Sequence, residues 1–165
     1  MTEATARREQ DRDDLLWFVE QFALLLTEAG MPRMAARVFA YVLAEDTDEY
    51  TAADLATGLR VSAAAISGST RYLVDAGLLS KERRPGARSD HFRIDDHDVW
   101  SAIFSQRAPM LRRWEECIAE GVELLGDDTP GGRRLAETKA YFHYLSNEFP
   151  KLLAGWRRYR DSLFG

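Results

Sequence analysis

Residues 51–94, TAADLATGLRVSAAAISGSTRYLVDAGLLSKERRPGARSDHFRI, decide the fold. Leu55, Ala56 and Leu59 give a short helix one apolar face, and Val61 closes the angle beneath it before Ser62 restarts the helix. Ser62 reads as an N-cap because its hydroxyl accepts from backbone N–H groups two or three residues on, donors that a first turn leaves without partners. Ile66, Thr70 and Leu73 share a face that packs on Leu55 and Leu59, leaving Ala63, Ala64, Ser67, Gly68 and Arg71 on the opposite face. Gly77 ends this helix, since glycine takes the left-handed conformation at a C-terminal cap without a Cβ penalty. Leu79–Arg83 and Asp90–Ile94 then pair as strands across Pro85 and Gly86, a proline that presets the turn and a glycine that permits its positive φ. Arg83, Arg84 and Arg88 fall at the hairpin tip with no acid between Arg83 and Ser89. Two angled helices followed by a basic hairpin predict a winged helix-turn-helix: a mainly α fold with a small β-hairpin wing.

Outward from that stretch the chain is helical. The polar residues 1–9 read as a flexible N-terminal arm or a frayed helix start. Residues 10–29 form a helix with Asp11, Asp13 and Asp14 against the positive end of its dipole. Leu15, Val19 and Phe22 make one face, but Trp17, Phe18, Leu24 and Leu25 leave it apolar nearly all round, which demands cover on two sides. Gly30 breaks this helix, and Pro32 opens a second from Arg33 to about Ala44 that offers Met34, Val38, Phe39, Tyr41 and Val42 to the core. Tyr50 reads as a short strand beside the wing. Residues 30–96 are therefore the winged helix-turn-helix domain, and 97–165 a C-terminal helical region. There, Trp100, Ile103, Phe104, Arg107, Leu111, Trp114 and Ile118 recur at helical spacing, with a kink expected at Pro109. A break follows at Gly126–Gly132. A last helix carries Leu135, Thr138, Phe142, Leu145, Phe149, Leu152, Trp156, Tyr159 and Leu163 at intervals of three and four, with a bend expected at Pro150.

That seam packs inside one chain or across a dimer. The surplus of apolar surface favours a two-fold homodimer through Leu15, Val19, Phe22, Leu145, Phe149, Leu152 and Trp156. Trp17, Phe18, Trp100, Phe104 and Trp114 are candidates to line a small-molecule effector pocket.

The 165 residues, 45% hydrophobic, suffice for one good core. A net charge of −5 hides a local contrast, because residues 60–94 hold seven cations against three acids. A basic face on an acidic body orients a protein on a polyanion. No apolar run approaches the ~20 residues of a membrane helix, so the expectation is a cytoplasmic protein that does not engage a membrane. Cys117 is the only cysteine, which rules out an intrachain disulfide and suits packing better than redox chemistry. His91, His97 and His143 are scattered; only His91, Asp95 and His97 could approach one another, too few to make a metal site the expectation. No nucleophile elbow, phosphate-binding glycine loop or dinucleotide fingerprint occurs, so neither an enzyme nor a cofactor is expected.

The pattern Val61-Ser62, Ile66-Ser67, Arg71 and Leu73, the exit Asp75 to Leu79 and the basic hairpin resemble the core of MarR-type transcriptional regulators, most closely the glycine-betaine-responsive GbsR-like branch. The likeness covers about a quarter of the chain. It implies a DNA-binding regulator, a repressor in most such proteins, that binds a palindromic operator in double-stranded DNA as a homodimer and is relieved by a small effector. It also implies that Ser62, Ala63, Ala64, Ser67, Gly68, Ser69 and Arg71 meet the major groove. Arg71 alone reaches a guanine, or takes a phosphate instead, and Arg83, Arg84 and Arg88 reach the backbone or the adjacent minor groove. The alternative class is a winged-helix module that binds protein rather than DNA.

Overall fold

A computed structural model of the chain describes residues 3–86, 88–94, 98–105 and 108–164. Its contacts divide it into two compact units, Met1–Val99 and Trp100–Gly165.

The first unit contains helices α1 (Glu3–Glu28), α2 (Arg33–Ala44), α3 (Ala52–Gly58) and α4 (Ala63–Asp75), with strands β1 (Tyr50–Thr51), β2 (Ser80–Glu82) and β3 (His91–Arg93). α1 begins at Glu3 rather than near Asp11, so of the two readings of the first residues, flexible arm or helix start, the described ones follow the second. Ala4, Ala6, Arg7, Arg8 and Gln10 are good helix formers, and Gln10 bonds Asp14 one turn on at 2.9 Å. α2 is the core of the unit, with Ala35, Ala36, Val38, Phe39, Ala40 and Val42 buried around nearly its whole circumference. A helix apolar on every side needs cover on every side, and α1 supplies part of it through Val19 and Ala23. Of the Leu15, Val19 and Phe22 face, Val19 is thus fully buried within the chain, and Leu15 and Phe22 are part-buried. The apolar residues that α1 leaves outside are Trp17, Phe18, Leu24 and Leu25.

α4 crosses α2, placing Ile66 and Leu73 beside Leu55 and Leu59 of the α3 segment, all fully buried or nearly so. A capping box starts α3: the Thr51 hydroxyl accepts from the Asp54 amide at 3.2 Å, while the Asp54 carboxylate accepts from the Thr51 amide at 2.8 Å. Ser62 caps α4 as its position predicts, accepting from the Ala65 amide at 3.3 Å. Two of the helix exits share one closure. After α4, the Leu78 amide donates to the Leu73 carbonyl and the Gly77 amide to the Val74 carbonyl, with Gly77 at φ +63°. After α3, the same pair of bonds joins Val61 to Ala56 and Arg60 to Thr57, but the left-handed residue is Arg60 at φ +56°. Cations brace this end of α3: Arg12 donates to the Thr57 carbonyl at 3.1 Å, and Arg37, held by Glu20 at 2.6 Å, donates to the Leu59 carbonyl at 3.4 Å.

The strands form one antiparallel sheet in the order β1-β3-β2, with Tyr50 opposite Phe92 and Lys81 on the other side of it. Tyr50 pairs with the wing as expected. The wing strands are shorter than the sequence pattern predicts.

The second unit contains α6 (Ala108–Leu125) and α7 (Pro130–Phe164), together with α5 (Val99–Ser105), which begins one residue before the division. Helix is described on both sides of Gln106 and Arg107, which themselves lie outside the described residues, as do Asp95 to His97, where the capped start of the long helix was expected. Pro109 lies in α6, just after those two residues. α7 is helical on both sides of Pro150, the position where a bend is expected. α6 and α7 pack along each other, with Trp114 edge-to-face on Phe142 at 5.3 Å between centroids. Leu111 is the only buried hydrophobic side chain among the described residues of this unit. Cys117 points outward and is exposed, not packed: it lies off the inner α6 face of Leu111 and Ile118.

Candidate nucleic-acid interface

α4 presents Ser62, Ala63, Ala64, Ser67, Gly68 and Arg71 to solvent together, as its periodicity predicts. Ser69 is withdrawn from this face: it is buried, and its hydroxyl donates to the Ala65 carbonyl at 2.9 Å. It lies one residue beyond Gly68, a rotation of about 100° that carries it over the edge to the core side. Thr70 likewise turns inward and donates to the Ile66 carbonyl at 3.1 Å. The face instead gains Tyr72, 39% exposed, which continues the i, i+4 row from Ala64 through Gly68. That spacing was the available signal for it.

Gly68 has no internal reason to be glycine. A Cβ there would meet nothing within 4 Å, yet glycine inside a helix costs about 1 kcal/mol relative to alanine. A smooth spot at the middle of an exposed face suits close approach by something outside the chain.

Arg71 lies on the wing side of α4. With Ser67, Lys81, Ser89 and Asp90 it lines an open groove of about 430 Å³ between helix and hairpin. The wing cations are not bare. Lys81 and Arg83 converge on Asp90 at 2.8 and 3.6 Å, and the Lys81 hydrogen bond, aided by the charges around it, holds the Asp90 carboxyl below the usual aspartate range. Arg84 reaches back to Glu49, ahead of β1, at 2.6 Å, and His91 Nδ1 stands 3.5 Å from the same carboxylate. Arg93 pairs with Glu82 at 3.3 Å across the sheet. Among the described residues Arg71 and Arg88 make no ion pair. The acids that restrain the wing come from Glu49 and from beyond Ser89, so the tip's lack of acids in sequence overstated its free charge.

The other candidates separate. Trp100 and Phe104 share an apolar cavity of about 300 Å³ with Ser101, Leu152, Leu153 and Trp156, all within the second unit. Of the other expected pocket aromatics, Trp17 and Phe18 belong to the first unit, and Trp114 packs its ring on Phe142. Among the described residues no three His, Cys, Asp or Glu are placed to hold a metal ion; Asp95 and His97 lie outside them. No helix among them is long and apolar enough to cross a membrane.

A three-stranded wing beside a capped, solvent-facing recognition helix defines the class of winged-helix DNA-binding regulators. Comparison with known proteins points the same way. A MarR family model matches residues 29–88, and a model described as MmpR5-like MarR family transcriptional regulator matches residues 98–159. The chain is 27% identical over 135 residues to the HTH-type transcriptional regulator MmpR5 of Mycobacterium tuberculosis, covering 81% of each protein. It superposes on a crystal structure of a transcriptional regulator with a TM-score of 0.73 at 26% identity, covering 88% of this chain and 99% of that one. Over the two stretches that the family models match, the chain is similar to the MarR family of transcriptional regulators.

Proposed function

We propose that the protein acts as a homodimeric repressor that sets two α4 helices into successive major grooves of a palindromic operator, with half-sites about 10 bp apart. The observation that carries this reading is the exposed row Ala64, Gly68 and Tyr72 beside a basic wing. Ser62 and Ser67 donate to phosphates or base edges, Ala63 and Ala64 meet thymine methyls, and Arg71, on the groove side, takes a phosphate. Arg83, Arg84 and Arg88 exchange their internal acids for backbone phosphates. With so few long polar groups on α4, much of the specificity comes from DNA shape. The tie to the GbsR-like branch rests on the pattern of residues 61–79 and the basic hairpin, and is part of this proposal.

The second copy covers the second unit. Tyr141, Tyr144, Leu152, Tyr159 and Leu163 lie on one exposed stripe of α7 at heptad-like spacing, and a helical unit with a single buried hydrophobic side chain among its described residues needs a further apolar surface to pack on. An apolar effector that enters the cavity of Trp100, Phe104 and Trp156 shifts the population of arrangements and so relieves DNA binding.

Fluorescence anisotropy of the purified protein with its own promoter duplex, a scrambled duplex and two salt concentrations tests this. Selective binding that weakens steeply with salt and fails in the Arg83→Ala/Arg84→Ala/Arg88→Ala variant is the expected result. Absence of binding at low salt would sink the reading and leave a winged-helix module for a protein partner.

A further inference from the structure

The first unit has another concavity, away from the α4 face, between the start of α1, the end of α2 and α3. It is an open cavity of about 540 Å³ whose lining includes Asp11, Arg12, Tyr41, Glu45, Asp46 and Asp54. Its one cation, Arg12, is already engaged with the Thr57 carbonyl. Asp54 spends Oδ2 on the Thr51 cap, and Glu45 spends Oε2 on the Tyr50 hydroxyl at 2.5 Å and the Thr47 amide at 2.9 Å. Their other oxygens, and both oxygens of Asp11 and Asp46, make no hydrogen bond among the described residues.

Acids alone would not make a site, but Tyr41 points to a ligand. Its side chain is only 9% exposed and packs edge-on to Tyr50 at 5.9 Å. Its hydroxyl lies where the chain has made room for it: a Cβ on Gly58 would stand 2.3 Å from that oxygen. The hydroxyl nevertheless has no hydrogen-bond partner among the described residues. Although the residue is nine-tenths buried, its oxygen opens onto the cavity, where a group from outside the chain can reach it.

The chemistry of the lining narrows that partner. No three carboxylates stand close enough to chelate a metal ion, so the negative charge is spread around the cavity. Spread charge suits a ligand whose own charges are held apart by a chain. The carboxylates only accept hydrogen bonds, so the ligand must bring N–H donors, which a quaternary ammonium lacks. Tyr41 is also the one aromatic side chain in the lining, too few for a cage of ring faces.

We propose that this cavity binds a linear diamine in its doubly protonated form, one ammonium on the Tyr41 hydroxyl and an adjacent carboxylate, the other on a separate carboxylate, with the methylenes along Leu15 and Ala44. Calorimetric titration of the full chain with 1,4-diaminobutane, against n-butylamine at matched ionic strength, tests it. Saturable binding at one diamine per chain is expected, with butylamine at least about tenfold weaker. Tyr41→Phe and Asp46→Asn should each weaken the diamine about tenfold, the factor for losing one hydrogen bond to a charged group. Tyr41→Phe removes an oxygen that bonds nothing in the chain, and Asp46 is exposed, so both variants should keep the wild-type circular dichroism; if Tyr41→Phe does not fold, Asp46→Asn decides. No saturable heat, equal affinity for the monoamine, or undiminished binding in Asp46→Asn would each overturn the proposal.

Discussion

Replacing Glu49 with glutamine should make the protein bind DNA more tightly. Arg84 Nη2 lies 2.6 Å from the Glu49 carboxylate, with the two side chains 61% and 31% exposed. A pair that open to water contributes about 0.2–1 kcal/mol, which is what a phosphate must displace to take the arginine. The carboxylate also repels the incoming phosphate, by about 0.4 kcal/mol at ~10 Å in water before salt screening. Together these amount to about 0.6–1.4 kcal/mol before screening, so Glu49→Gln should lower Kd by about three- to tenfold. Anisotropy titrations of both proteins at two salt concentrations read this directly. Arg84→Ala should weaken binding and reduce the slope of log affinity against log salt by about 1, and Glu49→Gln should have little effect in that background. If Glu49→Gln binds no better while its melting curve is unchanged, Arg84 does not exchange its carboxylate for phosphate, and the wing's part in the interface is wrong as drawn.

Gly68→Ala should raise Tm by about 2–4 °C, since a Cβ there meets nothing and alanine favours the helix, yet weaken operator binding; an unchanged affinity would remove Gly68 from the interface. Gly58→Ala should lower Tm despite its better helix propensity, because its Cβ would press the Tyr41 ring at 2.3–2.5 Å; overpacking costs about 1–3 kcal/mol, and a rise in Tm would contradict the contact. The Thr51 hydrogen bonds hold the Asp54 carboxyl below its ordinary value of about 3.8, so its contribution is complete above that pH and lost as pH falls through the lower folded value. Acid denaturation of Asp54→Asn should accordingly show a smaller loss of stability below pH 4 than wild type, and identical curves would count against the cap. Leu152→Glu on the exposed α7 stripe should shift the protein toward monomer in sedimentation velocity; an undisturbed dimer would place the interface elsewhere.

The helix-turn-helix was legible because each of its signals was local: Ser62 beside its own free amides, Gly77 at the one conformation it favours, Ile66 and Leu73 one face apart. What escaped depended on neighbours distant in sequence. Glu49 restrains Arg84 from 35 positions away. α1 is apolar nearly all round, so periodicity could not choose between Val19 and Trp17 as its outer face; α2 chose, by needing cover. Ser69 sits at the margin of the α4 face, where one residue's rotation decides between groove and core. On α7 the seam read at intervals of three and four keeps a period of 3.5, whereas a straight helix turns every 3.6, so the line drifts across the surface. Its early members Phe142 and Phe149 reach aromatic neighbours, and its later members Leu152, Tyr159 and Leu163 emerge on the outside.

The paired closures after α3 and α4 have a mechanical consequence, and α1 ends the same way, with Met31 bonded to Leu26 and Gly30 to Thr27. Each closure fixes the direction of the outgoing chain to the last turn of the helix it leaves, so these junctions have no soft torsion to act as an axle. At Arg60 the chain accepts a left-handed side-chain-bearing residue rather than the looser glycine, and ties it to Asp13 at 3.0 Å. Torque applied to α1 therefore reaches the end of α3 chiefly through the Arg12 hydrogen bond to Thr57, the exposed Asp13–Arg60 pair adding little, and passes from there to α4. The reading head turns as one solid lever. Slow hydrogen exchange at the amides of Met31, Val61 and Leu78, matching the helix interiors rather than the surrounding loops, is the signature such rigidity would leave.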